Sequence, residues 1–167
     1  MPDDLASTGS DDLPHSGPLA RLWEDEHLNM LQQLHARISG EADEAFLKLQ
    51  ELREDMSVEE TELRESMMRL ERANSQRDAS ATFPHFRQAA LAYYDVQEVN
   101  NRIHSICLEM LQAQEERHYA KLMLVELGRF PEMWATALGF TSADHVHEYL
   151  AQFVQGRLPY PVPIDDQ

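Results

Sequence analysis

Apolar residues recur along most of this chain at steps of three and four, the spacing that lines one face of a helix. The strongest instance joins Ala89, Ala92, Val96, Val99, Ile103, Ile106, Met110, Ala113, Arg117, Ala120, Leu124 and Leu127 without a slip. A seam sustained for that length predicts coiled-coil packing. A second row, Cys107, Leu108, Leu111, Leu122 and Val125, runs beside it. The wider face predicts a helix that touches more than one neighbour, with Cys107 packed at the broadest part. Gly128 and Pro131 mark the end of this helix.

Upstream, the same period joins Trp23, His27, Met30, Leu34 and Ile38, and then Ala42, Ala45, Leu49, Leu52, Met56, Leu63, Met67 and Leu70. Ser39 and Gly40 read as a break between two helices, over residues 18–38 and 41–74. Residues 74–84 are small and polar and end in Pro84, which predicts a loop. Two further helices are expected at 131–139 and 142–155, the last with Thr141 as N-cap and Gly156 at its close.

Those lengths predict an all-α chain. A helix of about 50 Å and a returning one of about 65 Å would form a long antiparallel hairpin, with the remaining helices packed at its open end as a bundle. Pairing about the middle of the expected loop sets Met56 near Ile103 and Ala42 near Arg117. At that level Arg117, a cation in an apolar seam, is expected to pair with Glu41 or Glu44 and so fix the register.

Composition narrows the function. Thirty acidic and 14 basic side chains give a net charge of -16, which disfavours nucleic acid as a partner. Residues 1–17, with four aspartates and little apolar bulk, read as a disordered acidic arm. No apolar run approaches the length that membrane insertion needs, and one cysteine allows no internal disulfide. A cytoplasmic setting is expected.

Chemistry-bearing patterns are sparse, and no catalytic constellation is recognisable. Glu24–His27 and Glu115–His118 are two Glu-x-x-His motifs on separate helices. In helical bundles such pairs build carboxylate-bridged di-iron sites, so iron binding is the alternative reading. It would need the two motifs to meet, and in the hairpin they lie about 20 Å apart, leaving only a site shared between subunits. His145 and His147 sit two apart on a helix and cannot share a metal.

The leading expectation is therefore a non-enzymatic interaction protein without a cofactor: an adaptor, assembly factor or chaperone-like component. The candidate partner-binding residues are Val96, Val99, Ile103, Ile106 and Met110 on the hairpin, with Tyr160, Val162 and Ile164 in the Pro-rich tail at 157–167 as a docking peptide. Two helices alone leave apolar surface wet, so self-association is also expected, most simply as an antiparallel homodimer.

Overall fold

In the computed structural model, residues 18–129 and 142–160 are described, with side chains from Asp25 onward. The expected arm (1–17), the helix at 131–139, and Val162 and Ile164 in the tail lie outside the described residues. Among the described residues there are three helices: α1 Pro18–Ala79, α2 Phe83–Arg129 and α3 Ala143–Val154. The first two pack against each other as an antiparallel hairpin, and α3 sits against both near the open end.

α1 is one helix of 62 residues, about 93 Å long. The expected break at Ser39-Gly40 does not occur. Ile38 and Ala42 are four apart, so the buried stripe Leu34, Ile38, Ala42, Ala45, Leu49 crosses the serine and glycine in unbroken register. Neither residue lacks an N–H, so they weaken the helix without ending it. Burial of the stripe on both sides outweighs a propensity cost of about 1 kcal/mol.

The other end of α1 also departs from expectation. Residues 74–79, expected in the loop, continue the helix, and α2 begins at Phe83. Only Ser80, Ala81 and Thr82 turn the chain. The Ser80 amide still donates to the Gln76 carbonyl, and the Thr82 amide donates to the Ser80 carbonyl at 2.8 Å. The His85 ring clasps the turn, with Nδ1 3.0 Å from the Thr82 hydroxyl and 2.7 Å from the Ser80 carbonyl. Pro84 is the second residue of α2, where a missing N–H costs no helical bond.

The shorter turn moves the register. Ala42 shares a cluster with Ala120, Leu49 and Leu52 with Ala113 and Met110, and Ala73 with Ala89. Facing residue numbers therefore add to about 162, one seam step from the expected pairing. Alanines at both ends of the seam let the two helices pack through small side chains.

The largest core lies at the open end. Leu34, Ile38, Met123, Leu127, Val146 and Leu150 meet there among three helices. α3 starts one residue later than expected. Ser142, not Thr141, is the N-cap, and its hydroxyl accepts from the His145 amide at 3.2 Å. At the other end the Gly156 amide bonds the Phe153 carbonyl and the Arg157 amide bonds the Gln152 carbonyl, both at 2.9 Å. That double closure needs a left-handed residue, and Gly156 supplies it with φ 72°.

The two glycines predict opposite outcomes. A Cβ added at Gly40 has no neighbouring atom within 4 Å, so Gly40→Ala is expected to stabilise the fold by about 0.5–1 kcal/mol. Gly156→Ala forces alanine into a left-handed conformation and is expected to cost about 1 kcal/mol. Urea unfolding of both variants measures this, and changes of the same sign would contradict it.

Candidate interaction surface

The hairpin seam continues the three-four alternation through all of α1, to Met56, Glu59, Leu63, Ser66, Leu70 and Ala73. Two of these last six members are polar. Ser66 is buried and accepts from the Arg69 guanidinium at 2.7 Å, whereas Met67, expected in the stripe, is exposed. Glu59 is the other. Its side chain is 17% exposed and takes the Arg102 guanidinium, whose Nε lies 3.0 and 3.1 Å from the two carboxylate oxygens. A second Arg102 nitrogen reaches Glu62 at 2.8 Å. These bonds, Glu62 first and then Glu59, raise the arginine pKa beyond its already high ordinary value. The signal was legible: a carboxylate at a seam position requires a cation opposite, and Arg102 is the arginine at that level.

Arg117 does not form the expected pair with Glu41 or Glu44. The register shift carries it to the level of Phe46, where its guanidinium lies over the ring, 4.6 Å from the centroid. Glu41 turns instead toward α3, accepting from His147 Nε2 at 2.8 Å and from Arg37 at 3.3 Å. Arg37 also pairs with Asp144, so one charged cluster ties α3 to α1. The other side of α3 is held by the chain that follows it. Tyr149 donates to the Pro159 carbonyl at 2.9 Å, and the Tyr160 ring packs 4.6 Å from Phe153. The Tyr160 hydroxyl donates to Glu126 at 3.2 Å. The start of the tail thus lies against its own bundle.

Of the seam residues expected to bind a partner, Val96 and Val99 are buried inside the hairpin. Ile103, Ile106 and Met110 are half-buried, and Ile106 and Met110 pack on the Leu49–Leu52 cluster of α1. In this structure they pack α1 against α2. The second row behaves oppositely. Leu108, Leu111 and Val125 are each more than half exposed, and Cys107, expected in the core, is exposed too. No described helix of the same chain covers that side of α2.

The largest exposed aromatic group lies at the turn. Phe83 is 80% exposed, and Phe86, Tyr93 and Tyr94 are each more than half exposed. Phe86, Tyr93 and Tyr94 line a shallow groove with Leu70, Asn74 and Arg77. Tyr93 and Tyr94 meet edge to face, centroids 6.3 Å apart.

The two Glu-x-x-His motifs remain apart. His27 is buried in the stripe of α1, and His118 is exposed beside Tyr119. Glu115 accepts from the Tyr119 hydroxyl at 3.2 Å, a bond that raises the tyrosine pKa above its ordinary value. By the observed register, His118 is level with Glu44, 17 residues and about 25 Å along α1 from His27. The Glu24 side chain is outside those described. Among the described residues, no group of three or more His, Cys, Asp or Glu side chains is placed to hold a metal ion. None of the described helices is long and apolar enough to cross a membrane.

No protein-family model, curated protein sequence or solved structure matches this chain.

Arg102→Glu would place a third carboxylate beside Glu59 and Glu62. It is expected to lower the thermal midpoint, and adding Glu59→Arg and Glu62→Arg to it is expected to recover part of the loss. A loss that the reversed charges leave unchanged would show that the cluster does not support the hairpin. Protein grown with added iron is expected to carry no stoichiometric metal by elemental analysis.

Proposed function

We propose that this chain is a non-enzymatic interaction module, an adaptor, assembly factor or chaperone-like component, that works through the outer surface of a stiff helical hairpin. The observation that carries this reading is the exposed aromatic group at the turn. Phe83, Phe86, Tyr93 and Tyr94 stand at the end of the hairpin farthest from its main core, where they add nothing to that core. Clustered exposed aromatic side chains are what protein interfaces enrich. The internal seam and the ion-pair cluster keep the two helices in place without them.

The reading replaces the apolar seam with the outer surface as the contact region. It also shifts weight away from the tail, because Tyr160 packs on Phe153. Binding through the tail would require the contacts of Tyr149 and Tyr160 to be released first.

A photo-crosslinking residue at Phe86 tests the proposal in cells. It is expected to capture a discrete protein partner, while the same residue at Asp43, on the acidic outer face of α1, captures none. Removal of residues 158–167 is expected to leave the Phe86 product in place. Equal labelling at both positions, or none at Phe86, would contradict the reading.

A further inference from the structure

The face of α2 turned away from α1 has a central stripe that carries little charge. From Ala90 to Val125 it follows the same three-four alternation as the seam, about 53 Å long. Glu115 is its one carboxylate, and it has no Lys or Arg until Arg87 and Arg129 bound it at the two ends. Of the two strips beside it, one holds a single cation, Lys121, and the other two carboxylates, Glu98 and Glu126, none of them level with Leu108. The corresponding face of α1 carries Asp43, Glu54, Arg64 and Glu71. In a chain of net charge -16, an exposed neutral stripe of that length is not accounted for by solubility.

The stripe also reads alike in both directions at four of its five mirror pairs. Leu108 is at its centre. Ala90 corresponds to Val125, and Tyr94 to Leu122, apolar with apolar. Gln97 corresponds to His118 and Asn101 to Glu115, polar with polar. His104 corresponds to Leu111, the one unlike pair of the five. Self-matching of this kind is what a two-fold axis demands, because each residue must suit its own mirror position in the second copy. All of these residues are exposed except Leu122, which is half-buried.

We infer that a second copy of this chain docks antiparallel on the outer face of α2, with the two-fold axis at Leu108. This rests on the reading that the hairpin works through its outer surface, and it assigns one occupant to one face. The charge distribution selects that occupant. Two copies brought together through their α1 faces would oppose Asp43, Glu54 and Glu71, whereas through the central stripe of α2 each brings one carboxylate, Glu115. A strip about 53 Å by 10 Å buries about 500 Å² per chain and about 1,000 Å² in all, the lower bound for a specific interface and the size of a weak, reversible pair. Asn101 can donate to the partner's Glu115 across the axis, which favours this pairing over a slipped one. Tyr94 of the aromatic group enters this contact, and Phe83 and Phe86 lie beyond the stripe and stay open for a different protein.

Sedimentation equilibrium on the full chain tests the inference, with twice the 19.3 kDa chain mass expected. Leu108→Glu with Leu111→Glu is expected to return it to 19.3 kDa with unchanged helical circular dichroism. Cysteine oxidation gives a second readout in a Cys107→Ser background. Leu108→Cys is expected to form a covalent dimer. Tyr94→Cys and Leu122→Cys are expected to join each other when mixed and not to join themselves. A monomeric unaltered chain, a dimer that survives both glutamates, or self-joining at Tyr94→Cys would overturn the proposal. Any of these with Phe86 capture intact would leave the interaction reading standing.

Discussion

Among the described residues, the one ion-paired contact inside the hairpin seam is that of Arg102 with Glu59 and Glu62, and it ties the middle of α1 to the middle of α2. The seam around it is repetitive. Alanines recur near both ends, at Ala42, Ala45, Ala73, Ala89 and Ala92, and leucines and β-branched residues fill the middle. Such a seam can slide by a heptad with little loss of apolar contact. A half-buried carboxylate cannot slide, because every other register leaves it without its cation. Polar residues inside coiled-coil seams specify register in this way, at some cost to stability. Arg102 therefore reinforces the register that the three-residue turn imposes, and with it the level at which Arg117, Phe46 and the three-helix core fall.

The cluster also divides the molecule by function. On the open side, α3 completes a core with Leu34, Ile38 and Met123, and the Arg37–Glu41–His147–Asp144 contacts hold it there. On the turn side, two helices pack through alanine and leave aromatic side chains in solvent. One half supplies stability, and the proposal assigns partner contact to the other half and to the outer face of α2. The acidic surface keeps the remaining faces from associating.

Much of this fold was legible in the sequence. The unbroken alternation from Ala89 to Leu127 predicts α2 and its seam, and the pairing as a hairpin follows from the short connection. The errors share one physical cause, which is reading local breakers above continuity. Ser39-Gly40 and residues 74–79 are poor helix formers, yet the buried stripe passes through the first, and the second group contains no residue that forbids a helix. The resulting one-step error in register separated Arg117 from its true neighbour, Phe46, and hid the role of Glu59. Following the alternation strictly would have placed Ser66, not Met67, in the seam. The exposure of Cys107, Leu108 and Leu111 was not legible, because the period alone does not say whether a second apolar row is covered.

The register is the claim on which the account turns, and paired cysteines measure it directly. In a Cys107→Ser background, Ala42→Cys with Ala120→Cys is expected to close an intramolecular disulfide readily on oxidation, as two facing small residues allow. Ala42→Cys with Arg117→Cys, one step along the seam, is expected to close poorly. Preferential closure of the 42–117 pair would place the hairpin in the other register and contradict the contact of Arg102 with Glu59 and Glu62.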